Sequence, residues 1–132
     1  MTKEIGAILK TYHLNVGKLT ICDSYMIAEI DEGVTLNMEN ASELIKAAEL
    51  HFKNTPFVYI THRKNSYAVD PINYIEVMKL TQLKGIAIVS SKQIDKKNFN
   101  VEQRFFGRPM QIFDNLADAI NWHKEILKES YG

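Results

Sequence analysis

The sequence predicts an α/β domain: one mixed β-sheet, antiparallel at its start and continued by βα units, with about four helices packed on it. Three observations predict it. Lys18–Cys22 and Tyr25–Ile30 are β-rich runs separated only by Asp23-Ser24, a connection short enough for a hairpin. The apolar period then changes, with Ala41, Leu44, Ile45, Ala48 and Phe52 at helical spacing and Glu43, Lys46, Glu49 and Lys53 opposite them. Beyond that helix, short runs such as Phe57-Val58-Tyr59-Ile60 and Gly85-Ile86-Ala87-Ile88-Val89 are apolar throughout, as parallel strands covered on both faces must be.

Each element can be justified in order. Ile5–Tyr12 reads as a first strand, and Asn15–Gly17 as the turn into the hairpin. Asp31-Glu32-Gly33 ends this antiparallel portion. Asn40, with Glu43 three residues later, resembles a capping box at the start of the first helix. After the Phe57 strand comes a polar loop, and Asp70-Pro71 then supplies an N-cap and a first-turn proline for a helix to about Leu80. Ser90-Ser91 can cap a helical segment that runs irregularly toward Phe106, where Gly107-Arg108-Pro109 breaks it. Met110–Phe113 is a last short strand, and Asp114 or Asn115 caps a final helix ending near Glu129. That helix turns Leu116, Ala119, Ile120, Trp122, Ile126 and Leu127 inward.

Composition narrows the function. The 132 residues form a single domain large enough to bury a core without metals or disulfides. Lys+Arg and Asp+Glu both number 16, so no net field attracts nucleic acid or an anionic membrane. No apolar run approaches the ~20 residues that cross a bilayer, so no integral membrane segment is expected. The start, MTKEIGAILK, lacks the pattern of a secretory signal, and the expected compartment is the cytoplasm. Cys22 is the single cysteine and cannot form an internal disulfide. His13, His51, His62 and His123 are scattered without a His-x-x-x-His pair, which gives a metal site little support. No glycine-rich phosphate loop is present, and no cofactor is expected.

The order of elements, and the tail from Ile112 to Trp122, resemble the SpoIIAA-like (STAS-related) proteins. Phe113, Ala119 and Trp122 match the F-x-x-x-x-x-A-x-x-W pattern that often closes such domains. The stretch Asn65–Pro71 further resembles small bacterial domains described as STAS or CRAL-TRIO-like. The resemblance covers nearly the whole chain. It implies a mixed sheet backed by helices and a non-enzymatic regulatory or ligand-binding role. Anti-sigma-factor antagonists of this fold carry a phosphorylatable serine in an Asp-Ser-Ser-Gly-type loop. Here the corresponding stretch is Arg63–Tyr67, with neither an Asp-Ser pair nor a glycine, so the resemblance does not extend to a phosphorylation switch at Ser66.

Two candidate binding segments stand out. His62, Arg63, Lys64, Asn65, Ser66 and Tyr67 occupy the loop that leaves an apolar strand, where open α/β sheets place ligand and partner contacts. Ser90, Ser91 and Lys92 follow the other apolar strand and belong at the same sheet edge. Their competing readings are structural: turn closure for Asn65 and Ser66, helix capping for the serines. Cys22, in a strand with no histidine near it in sequence, reads as a packed core residue. Phe99, Phe105, Phe106 and Met110 read as core, with an apolar cavity or partner surface as the alternative. No catalytic constellation is visible. The expected function is a non-catalytic regulatory or protein-interaction module, with a small-molecule or lipid carrier as the alternative. The partner is then another protein or a small ligand, and a homodimer stays open.

Overall fold

The structure is a computed structural model and describes residues 8–65 and 68–131. Its main sheet has six strands in the order β1-β2-β3-β5-β7-β8, and a separate two-stranded ribbon pairs β4 with β6. The strands are β1 (Ile8–Leu14), β2 (Gly17–Cys22), β3 (Tyr25–Ile30), β4 (Thr35–Leu36), β5 (Phe57–His62), β6 (Ala68–Val69), β7 (Leu83–Val89) and β8 (Met110–Phe113). The helices are α1 (Ser42–His51), α2 (Asn73–Val77), α3 (Gln93–Phe106) and α4 (Leu116–Tyr131). β1, β2 and β3 pair antiparallel, whereas β3, β5, β7 and β8 run parallel. The expected mixed α/β architecture is therefore present. Of the expected first strand Ile5–Tyr12, residues 5–7 lie outside the described residues, and the rest continues to Leu14.

The parallel strands advance across the sheet in chain order, which decides where the helices go. Right-handed crossovers that step in one direction place every connecting segment on the same face. α1, α2 and α3 accordingly share a face, packing Leu44, Ala48, Tyr74 and Phe106 on Met26, Phe57, Ile86 and Ile88. The opposite face is left to α4, whose Ala119, Ile120 and Leu127 cover Ile27, Val58, Ile60, Ala87 and Val89. The alternation of side chains along β5 and β7 serves both cores. Because the ladder skips Lys84, a bulge pairs Phe57 with Leu83 and Val58 with Gly85. The skip keeps Leu83, Ile86 and Ile88 on the three-helix face and turns Gly85 toward α4. A Cβ at Gly85 would stand 3.1 Å from Trp122 Cη2, so the glycine is what lets the indole approach the strand.

Several local expectations need correcting. Asn40 does not cap α1. Its carboxamide exchanges hydrogen bonds with Asn37, each backbone N–H donating 2.9 Å to the other's Oδ1. The N-cap position is Ala41, with no side-chain cap. The helix expected over Pro71–Leu80 is shortened to Asn73–Val77 between turns. Asp70 still organises its start, since Oδ1 accepts from Ile72 N at 3.1 Å and its carbonyl from Asn73 N at 3.0 Å. The far end of α2 is held from outside, because Arg108 donates to the carbonyls of Met78, Leu80 and Leu83. The segment after Ser91 is a regular 14-residue helix, ended by Gly107 in the left-handed conformation at φ 73°. Asn115, of the two residues offered, caps α4 by accepting Asp118 N at 2.9 Å. Among the described residues no helix is long and apolar enough to cross a membrane.

A candidate interaction site at the carboxyl edge of the sheet

The site begins with strand register. His62 pairs with Val89, so β5 and β7 end side by side, and Arg63 N donates to Val89 O at 2.9 Å to carry the ladder one residue further. That extra bond orients the first residue after β5. Arg63 points inward rather than to solvent and is only 7% exposed. Its guanidinium donates to both Glu102 oxygens, at 2.7 and 3.2 Å, and to Asp95 Oδ1 at 3.1 Å. Asp95 and Glu102 stand two turns apart on α3, with Phe99 between them and Phe106 beyond, so one stripe carries both acids and the apolar contacts.

Both acids accept further hydrogen bonds from neighbouring side chains. Tyr74 donates to Glu102 Oε1 at 2.5 Å, and Ser90 Oγ donates to Asp95 Oδ2 at 2.6 Å while accepting Lys92 N at 3.1 Å. Burial, and then the charge of Glu102, hold the Tyr74 phenol well above its ordinary pKa, so it keeps its proton and acts as the donor. One buried cation, directly after β5, thus joins two acids, a tyrosine and a serine drawn from α3, α2 and the β7–α3 turn. Such a network fixes the mutual position of those elements, because breaking it strands charge away from water.

The candidate residues therefore divide. Arg63 and Ser90 are buried, which corrects the expectation that the whole loop presents itself to a partner. Asn65 is half-buried and donates to Ile30 O at 3.0 Å, tying the loop to the end of β3. His62 is half-buried, and Lys64 is exposed with its ammonium 3.2 Å from Glu29. Ser91 is exposed and Lys92 half-buried. Ser66 and Tyr67 lie outside the described residues. Arg63, Asn65 and Lys92 nevertheless meet in one place. They line an open cleft of about 440 Å³ whose other walls are Glu32–Thr35, Ala68, Ile94 and Asp95. The two segments chosen from sequence thus border a common concavity at the carboxyl ends of the parallel strands.

Sequence reasoning missed Tyr74, Asp95 and Glu102, and with them the destination of Arg63. A signal existed: Asp95, Phe99, Glu102 and Phe106 recur at spacings of four, three and four, placing two carboxylates on an otherwise apolar helix face. Buried carboxylates require a cation, and Arg63 follows a buried strand.

The remaining candidates sort by burial. Phe106 and Met110 are core, Phe99 packs partly buried against it, and Phe105 is 39% exposed. A small cavity of about 70 Å³ does lie on this face, but between the sheet, α1 and α2, and none of those four residues lines it. Cys22 is buried and its thiol pKa is raised, chiefly by that burial, which keeps the thiol protonated. His123, placed by sequence near the edge of the apolar stripe, is buried in it. It meets Ser24 Oγ at 3.0 Å through Nε2, donates from Nδ1 to Ile120 O, and lies 4.5 Å from the Tyr25 ring. Among the described residues no group of three or more His, Cys, Asp or Glu side chains converges on a metal-sized position.

Comparison with known proteins bears on the fold alone. No family model matches the chain, and no curated protein matches it. Among solved structures it is similar to an uncharacterised protein of the DUF3478 family with a SpoIIAA-like fold, from Shewanella loihica PV-4. The TM-score is 0.53 at 16% identity, over 89% of this chain and 92% of the other. The fold expected from the order of elements and the Phe113–Trp122 tail is the one found: this chain has a SpoIIAA-like fold.

Proposed function

We propose that this chain is a non-catalytic interaction module that meets another protein across the carboxyl-edge cleft. The observation that carries the reading is the cleft itself, a concavity of about 440 Å³ floored by a hydrogen-bonded ion network. The charges of that floor are paired with one another, which suits a rigid platform better than a proton-transfer centre. The rim offers apolar surface at Val34, Ala68 and Ile94, with Lys92 beside it, and Ile94 is 59% exposed. Apolar contact surface within a polar surround is the composition of small recognition sites. The regulatory role implied by the SpoIIAA-like resemblance agrees with this reading.

A photo-crosslinking amino acid placed at Ile94, and separately at the exposed Thr81 beside the amino end of β7, tests it in cells of the source organism. Discrete adducts from position 94 and none from 81 are expected. Lys92→Glu in the position-94 protein should abolish them with stability unchanged to within about 0.5 kcal/mol, as for other surface changes. Equal labelling from both positions, or none from 94, would refute the cleft as the contact surface.

A further inference from the structure

Gly107, Arg108 and Pro109 separate α3 from β8, and this turn is pinned on both sides of the arginine. Gly107 is left-handed and its N–H donates to Gln103 O at 3.3 Å, while Pro109 O accepts Ile86 N at 3.0 Å. Arg108 thus stands on a fixed base, with its guanidinium 5.8 Å from the centre of the Phe106 ring. Nη1 donates to the carbonyls of Leu80 and Leu83, each at 2.9 Å, and Nη2 donates to that of Met78. These acceptors are neutral. They satisfy N–H groups but supply no counter-ion, and among the described residues no carboxylate pairs with Arg108.

Donor capacity remains on one edge of the guanidinium. Nε–H makes no bond among the described residues, and Nη2 carries a second hydrogen beyond the one given to Met78. Nε and Nη2 are the neighbouring nitrogens through which arginine holds a carboxylate side-on. Nε is not sealed from solvent either, since among the described residues the buried side-chain polar atom without a partner is Asn73 Oδ1.

Arg108 borders an open cleft of about 490 Å³ at the amino edge of the parallel strands, where β7 and β8 begin. Lys84, half-buried in another wall, repeats the pattern. Its ammonium donates to Thr81 O at 2.9 Å and forms no ion pair among the described residues. Leu83, Pro109 and Ile126 supply apolar wall, and the exposed Glu129 contributes an acid. Two cations against one acid leave an excess of one positive charge, which suits a monoanion better than a dianion.

We propose that this cleft binds the carboxylate of a small organic acid with a hydrocarbon body. The free edge of Arg108 takes the carboxylate, Lys84 adds a second positive charge, and the hydrocarbon lies along Leu83, Pro109 and Ile126. The site is at the opposite end of the sheet from the carboxyl-edge cleft. A small ligand here is compatible with the absence of protein adducts expected at Thr81, so the two readings can fail separately.

The full chain, isotopically labelled on nitrogen, can be titrated with hexanoate at neutral pH and followed at the Arg108 Nε–H resonance. A saturable shift is expected in the millimolar range. Hexanamide has nearly the same shape without the charge, and acetate keeps the charge without the hydrocarbon body; each should bind at least tenfold more weakly. Lys84→Glu should abolish the shift while leaving the Arg108 bonds in place, so the test does not depend on the stability of the turn. An Arg108 signal that hexanoate does not move, an equal response to hexanamide, or an unchanged response in Lys84→Glu would overturn the site. Acetate binding as tightly as hexanoate would overturn the hydrocarbon contact, and inorganic phosphate doing so would overturn the choice of a carboxylate.

Discussion

The two faces of the sheet are closed by different chemistry. On one, α4 packs as a nearly continuous apolar surface, with Trp122 set against Gly85 and Phe113 and a single buried histidine. On the other, three shorter segments converge, and their junction is held by Arg63, Glu102, Asp95, Tyr74 and Ser90, with a slot left beside it. One long helix can match one sheet face along its length. Three segments arriving from separate crossovers cannot all meet the sheet at equal depth. Directional bonds then fix relative positions that apolar contact leaves loose, and space remains where the segments diverge.

The sharpest way to break this contrast is to remove the cation. Arg63→Ala leaves Glu102 and Asp95 buried without their partner and should destabilise by about 3–5 kcal/mol in denaturant unfolding. Replacing Arg63 by Met, Glu102 by Leu, Asp95 by Asn and Tyr74 by Phe together should recover part of that loss, because no charge and no Tyr74 hydroxyl is then left buried without a partner. If Arg63→Ala unfolds at the wild-type midpoint, the network is ornamental and the two faces do not differ in kind.

Trp122→Ala tests the apolar face and should cost about 3 kcal/mol, since truncating a large aromatic leaves a cavity that the sheet cannot collapse into. Gly85→Ala should be destabilising in the wild type and less so in the Trp122→Ala background, because the added methyl group meets the indole first. Additive effects of the two substitutions would show that Trp122 does not rest on that glycine.

The smallest effect separates the faces by pH. Burial lowers the pKa of His123, so the unfolded chain takes up a proton more readily than the folded one. The stability that neutral His123 provides is complete above the unfolded value near 6.5 and is lost as pH falls through the lower folded value. His123→Gln should therefore flatten the decline below pH ~6.5 relative to wild type, measured by unfolding midpoints across the range. An unchanged pH profile would place the titration elsewhere.

The elements were legible in the sequence to the extent that a single residue pattern defined them. The run Tyr25–Ile30 and the run Met110–Phe113 are strands with the expected bounds, because alternating or continuous β-branched and aromatic residues suit a pleated surface wherever it pairs. α4 followed from its inward stripe and from Asn115 at its start. Shorter signals failed where a neighbour competed for the same group. Asn40 is engaged by Asn37 rather than by the helix, and α2 is cut short between the turn at Asp70 and the Arg108 contacts.

The candidate site divides along the same line. Which two segments lie at the carboxyl edge is legible along the chain, since each directly follows an apolar strand and parallel strands end at one edge. Which of their side chains face outward depends on packing between elements far apart in sequence. Arg63 turns in because Asp95 and Glu102 wait on a helix 32 and 39 residues further along the chain, and no local rule carries that information. Register, crossover handedness and the burial of charge are properties of the assembled sheet. They made a structural clamp of the residue that looked most like a ligand contact, and they left the cleft above it to Lys92 and Ile94.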